Sequence, residues 1–202
     1  MANTSRLRGF VPVRHMTGAP YNGQSNIYEI AAGQATATFI GDLVELDTEA
    51  ATDVYPTVAR IAGSGQVTSG PILGSVVGFV LSWGVSGSIP SLDVPIYRLA
   101  STKRFVLVAD APDLIFEVQD GGTVAAALAD IGLNTGITAA AGSTVTGLSN
   151  MATGTTAPTT TSTLPLQIVG VVNSPDNESA AASQKLLVRI NTHQFNGERA
   201  GV

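Results

Sequence analysis

The sequence predicts a mainly β protein: a jelly-roll-like fold or small antiparallel β-barrel with one short helix, an extended N-terminal arm and a long Thr-rich loop. Most apolar runs are short, rich in Val, Ile and Phe, and bounded by Gly, Pro, Asn or Asp, as strands are. Gly occurs 22 times in 202 residues, which supplies the turns such a fold needs. No helical pattern separates successive runs, so alternating βαβ units are excluded and a barrel or sandwich is favoured.

Residues 1–26 read as an arm. Arg6, Arg8 and Arg14 precede the first acidic residue, Glu29. The segment 9–22 is broken by Pro12, Arg14, His15, Gly18 and Pro20, so a signal peptide, which needs an apolar core there, is not expected. Residues 27–202 read as one β-barrel domain. Its strands are expected at 27–30, 36–46 with a break at Gly41, 57–62, 75–82, 96–99, 105–109, 114–119, 166–172 and 185–191. The helix is expected at 124–131, with Thr123 as its cap and Gly132 closing it in a left-handed turn. Residues 135–164, rich in Thr, Ala, Gly and Ser, form an extension whose Thr content suits extended backbone. It is expected to lie on a neighbouring subunit.

Charge is sparse and unevenly spread. Only 12% of residues are charged, and none lies between Ile61 and Leu92 or between Ile131 and Pro175. Interface centres and cores are both depleted of charge, so these windows expect to be covered. The first reads as strands entering a core, and the second, with less apolar density, as a surface for a partner. The window 71–89 has the length of a membrane span, but Gly74, Gly78, Gly84 and Gly87 with Ser75, Ser82, Ser86 and Ser88 dilute it, and no membrane partner is expected. The net charge of −5 argues against nucleic acid, whose affinity comes from cations placed on phosphates.

Catalytic patterns fail one by one. The chain lacks cysteine, so thiol chemistry and thiolate metal sites are excluded. Its two histidines, His15 and His193, have no evident base–nucleophile partners, and His193 reads as a hydrogen-bonded surface or interface residue. No Gly-x-Ser-x-Gly occurs; Gly65 to Gly70 runs into Pro71 where a phosphate loop needs Lys; and Asn134-Thr135-Gly136 places an amide where a carboxyl dyad needs Asp. Asp42, Glu45, Asp47, Glu49 and Asp53 cluster, but without an EF-hand's order, and strand alternation makes Glu45, Asp47 and Glu49 a solvated face. Neither metal nor other cofactor is expected, and no enzymatic activity.

Three strings carry a family resemblance: Arg8-Gly9-Phe10-Val11-Pro12-Val13-Arg14-His15 with Gly18-Ala19-Pro20-Tyr21-Asn22-Gly23; Val108 to Asp113 running into Leu114 to Gln119; and Ile168 to Asn173 through Pro175-Asp176-Asn177-Glu178 to Val188 to Gln194. On these the chain resembles the decoration, or cement, proteins of tailed-bacteriophage heads. The resemblance implies a homo-oligomeric β-barrel knob, with a trimer favoured over a dimer, seated on the outer surface of the virion head. Its partner would be the major capsid protein. Expected contacts are Arg6, Arg8, Phe10 and Arg14, with Tyr21 and Asn22 fixing the turn of the arm. The alternative is a tail or baseplate component that binds host carbohydrate through the Thr-rich loop, with Trp83 as a stacking platform.

Overall fold

In this computed structural model, residues 3–48, 54–62, 66–80, 94–122 and 125–196 are described. The mainly β expectation holds: thirteen strands and a single 3-10 turn make up the regular structure of these residues. Trp83, the proposed cap Thr123, and the acidic residues Glu49 and Asp53 lie outside them.

One five-stranded antiparallel sheet is built from β2 (Asn26–Ile30), β7 (Arg104–Ala109), β6 (Gly74–Phe79), β3 (Leu43–Leu46) and β4 (Val58–Arg60), in that order. Its two edges meet. Glu29 bridges Thr57, the residue before β4, and the Glu29 N–H donates to Pro56 O at 2.9 Å, so the sheet rolls into a small barrel. Alternation fills the inside with Tyr28, Ile30, Val44, Val58, Leu73, Val76, Val106 and Val108. Each such buried aliphatic or aromatic side chain contributes about 1.5–3 kcal/mol.

A second five-stranded sheet has the order β1 (Val11–His15), β8 (Leu114–Gln119), β13 (Lys185–Ile190), β12 (Leu166–Val171) and β9 (Asn134–Thr135). Its inner face, carrying Phe116, Val118, Leu166, Ile168, Leu186, Val188 and Ile190, meets Leu43, Ile61 and Ile72 from the barrel side in the larger core. A three-stranded sheet of β11 (Ala152–Thr153), β10 (Ile137–Thr138) and β5 (Gln66–Val67) adds Ile137 to this core, and Met151 enters just before β11.

The structure corrects several expectations. The N-terminal segment is not a free arm, because Val11–His15 pairs with β8 and Phe10 is 1% exposed in the core. Gly9 and Gly41, both at positive φ, let two backbones cross there: a Cβ on either would overlap a carbonyl oxygen of the other segment. The Thr-rich extension is ordered and packs in part on its own chain. It supplies β9, β10 and β11, bridges Ile40 through Leu148 and places Met151 fully inside. The segment 96–99 is no strand; only Arg98 bridges Thr38, while the buried Arg98 guanidinium donates to the carbonyls of Ala31, Gln34, Thr36 and Thr102 and holds the chain as a loop. The expected helix shrinks to a 3-10 turn at Leu128–Asp130. Side chains take the main-chain groups a helix would pair internally: Ala126 N–H donates to Asp120 Oδ2, Ala127 N–H to Asp130 Oδ2, and Ala126 O accepts from Gln184 Nε2. Among the described residues no helix is long and apolar enough to cross a membrane.

Because Phe10 anchors the chain start, Phe10→Ala is expected to lower unfolding free energy by about 3–5 kcal/mol, read as a shift of the denaturant midpoint with unchanged slope.

Candidate functional site

Ten cations are available to this chain, and the fold uses half of them internally or outside the described residues. Arg60 and Arg98 are buried, Arg104 donates to Pro95 O and Tyr97 O while stacking over Phe79, Lys103 pairs with the buried Glu29 at 3.3 Å, and Arg199 lies outside the described residues. Burial lowers the Arg104 pKa. The other five, Arg6, Arg8, Arg14, Lys185 and Arg189, gather on or beside the outer face of the β1-containing sheet.

Register explains the gathering, because residues directly opposite in antiparallel strands share a face. Arg14 opposes Ile115, Ile115 opposes Arg189, and Arg189 opposes Gln167, giving one row across four strands. Arg189 Nε donates to Gln167 Oε1 at 2.7 Å, which fixes the guanidinium over the sheet. The adjoining row is Val11, Glu117 and Leu187, where Glu117 pairs with Arg8; the next places Gln119 opposite Lys185. The segment before β1 is laid along this edge: Arg6 N–H donates to Gln119 Oε1 at 2.7 Å, and Asn3 exchanges two hydrogen bonds with Glu178. Lys185 reaches Asp176 at 3.3 Å, and hydrogen bonds from Ser174 and then Lys185 hold the Asp176 carboxyl below its usual range.

Of the six residues singled out as contacts, the structure brings Arg6, Arg8 and Arg14 to this face. Phe10 does not join them there; it forms part of the lining of a groove of about 360 Å³ beside β1, with Arg8, Pro12, Tyr21, Ile40 and Leu148. As a core residue, Phe10 is corrected from contact to anchor. Tyr21 is half-buried, its hydroxyl donating to Gln24 O at 3.0 Å, with a phenol pKa raised by burial and then by Asp110. Asn22 is exposed and follows the segment that returns along β1, where Tyr21 N–H donates to Val13 O. Sequence reading missed Lys185 and Arg189. Their signal was the alternation Lys185, Leu187, Arg189 along one strand face, far in sequence from the arginines they join.

The remaining polar side chains are built into the frame. Asp42 is fully buried, accepts Phe39 N–H at 2.8 Å, Arg60 Nε at 2.7 Å and Ser149 Oγ at 2.6 Å, and Arg60 also donates to Ala140 O. Burial pushes the Asp42 carboxyl up, against the downward pull of Arg60 and the other donors. The acidic cluster is therefore dispersed: Asp42 turns inward, Asp47 accepts from Gln34, and the half-buried Glu45 is pushed up by desolvation and then by Asp47. No group of three metal-ligating side chains occurs among the described residues. His193 is wholly buried, not a surface residue, because the bridge from Ile72 carries it inside. Its Nδ1 accepts Phe195 N–H at 3.1 Å, and burial lowers its pKa, opposed by Asp110 and the Leu73 main chain. His15 Nδ1 meets Asp113 Oδ1 at 3.0 Å, tying the end of β1 to the turn before β8.

The fold and this face define a mainly β protein with a barrel on one side and a basic sheet face on the other. Comparison with protein-family models, curated proteins and solved structures gives no match.

Two outcomes follow. Arg60→Ala strands the buried Asp42 carboxylate and is expected to cost about 3–5 kcal/mol, whereas the double variant Asp42→Asn with Arg60→Met costs less than Arg60→Ala alone; a thermodynamic cycle from denaturant melts reads this. Because His193 is held neutral, the unfolded chain binds its proton first, so stability is intact above about pH 6.5 and falls as pH drops below it. His193→Asn, which retains an acceptor for Phe195 N–H, flattens the slope measured between about pH 7.5 and pH 5.5.

Proposed function

We propose that this chain is a structural capsid decoration protein. It seats the basic outer face of the β1-containing sheet on the outer surface of a phage head and stabilises contacts between major capsid protein subunits. The observation that carries the reading is the placement of charge: a chain of net charge −5 brings Arg6, Arg8, Arg14, Lys185 and Arg189 to one face, where Glu117 and Asp176 match Arg8 and Lys185 and leave Arg6, Arg14 and Arg189 without a carboxylate partner among the described residues. A second observation supports it. The three strings that resemble head decoration proteins fall mainly on β1, β8, β12 and β13, four of the five strands of that sheet.

The mechanism is mechanical. A copy that touches two neighbouring shell subunits adds buried area across their joint, and a standard specific contact of about 1,600 Å² repeated over the shell multiplies modest affinities. A homotrimer, favoured over a dimer, places such faces around a threefold position of the shell. Localisation is the outside of the virion head, and the reaction class is binding.

Arg14→Glu with Arg189→Glu tests the face without touching the core, since surface changes of this kind stay within about 0.5 kcal/mol of native stability. Occupancy on phage heads lacking the native protein, counted as surface knobs by cryo-electron microscopy, is expected to fall sharply for the double variant. Native attachment should weaken as salt rises, and the variant's residual attachment should depend on salt less steeply. Equal occupancy of native and variant protein at every salt concentration would overturn the proposal.

A further inference from the structure

The exposed Asn22–Gly23 step, between Tyr21 and β2, has the chemistry of a self-modifying site. Most asparagine amides in the fold are restrained: Asn3, Asn26, Asn134, Asn150, Asn177 and Asn191 each donate from Nδ2 to a carbonyl or carboxylate oxygen. Asn22 is exposed, and no hydrogen bond to its amide or to the Gly23 N–H occurs among the described residues. Gly23 sits at φ +87°, and a Cβ placed on it would meet nothing within 4 Å, so its α-carbon faces open space. A glycine nitrogen is the least hindered one that can follow an asparagine, and its backbone adopts ring-closing geometry without steric cost.

We infer that Asn22 deamidates spontaneously in the folded protein. The Gly23 nitrogen, losing its proton to hydroxide, attacks Asn22 Cγ; the new C–N bond closes a succinimide, the Cγ–Nδ2 bond breaks, and ammonia leaves with the proton it takes from water. Water then opens the ring at either carbonyl, leaving aspartate or isoaspartate. No oxidant and no enzyme is required. The product places a carboxylate beside the basic face, since the same return strand bridges Arg14 through Pro20 and bonds Val13 through Tyr21. Time thus lowers the positive charge of that edge, whatever the face binds.

Purified folded protein incubated at neutral and mildly alkaline pH tests this, with isoelectric focusing for the acidic shift and fragment-ion mass spectrometry to locate it. Expected is a one-dalton gain at residue 22, faster at higher pH, with both aspartyl and isoaspartyl products and ahead of any change at Asn26, Asn134 or Asn177. Asn22→Gln removes the gain at residue 22, and Gly23→Ala slows it severalfold. The inference is overturned if Asn22 stays intact in the folded chain while it converts in the urea-unfolded chain. It is equally overturned if, in the native sequence, the one-dalton gain maps to Asn173 or Asn196 and not to Asn22.

Discussion

The buried Asp42–Arg60 pair is the constraint on which the rest of the structure depends, because it joins three parts of the chain: the barrel, the chain start and the Thr-rich extension. Asp42 stands just before β3 and Arg60 ends β4, so the pair locks two barrel strands. Ser149 and Ala140 bring the Thr-rich extension onto the same two side chains. Gly41, the neighbour of Asp42, is crossed by Gly9, which fixes where β1 begins. Burying two charges costs several kcal/mol per ion, and the cost is offset here only because each charge has several well-placed partners. The gain is therefore geometric: the pair permits one arrangement of barrel, chain start and extension.

A second carboxylate works in the same way without a cation. Asp120 accepts from Gly122 N–H, Thr153 Oγ1, Ala126 N–H and Gln184 Nε2, tying the end of β8 to β11 and to the segment before β13. Arg98 is its counterpart of opposite sign, with carbonyls in place of donors. In a chain with 12% charged residues, several of the few charges are thus internal fasteners. The uncharged window 131–175 lies wholly within the described residues, and part of it is buried by its own chain. Between Ile131 and Pro175, Thr and Gly supply backbone pairing and hydroxyl bonds such as Thr138 Oγ1 to Thr153 O, and only a few large apolar residues, Ile137 and Met151 among them, anchor the segment.

What the sequence made legible follows from range. Strands such as 105–109, 114–119 and 185–191 were readable because alternation and bounding turns are local properties, and β7, β8 and β13 fall within a residue of them. Closure of the barrel was not readable, since it rests on one bridge between Glu29 and Thr57. The helix misled because Ala-rich propensity is weak beside tertiary partners; Asp120 and Gln184, remote in sequence, took the groups it needed. The first fourteen residues showed their charge but not their anchorage. Phe10 lies between Gly9 and Val11 with nothing local to mark it as core, and the register that sets Arg14 in line with Arg189 spans 175 residues.

The division of charge has a physical consequence for how the molecule meets anything else. Charges spent inside are insulated from salt and hold geometry, while those at the sheet face are exposed and screened over about 8 Å at physiological ionic strength. Ile115 lies between Arg14 and Arg189 in the same row and is 1% exposed, so the face is a firm, packed surface with cations on its rim rather than a flexible basic tail. Arg8 and Lys185 are already matched by Glu117 and Asp176, whereas Arg6, Arg14 and Arg189 have no carboxylate partner among the described residues. If the face binds as proposed, a sheet that presents these guanidiniums beside paired charges would select a partner by the spacing of its carboxylates. Attraction alone would let any acidic surface bind; on that proposal, fixed spacing is what would let a repeated lattice of carboxylates be preferred over a disordered one.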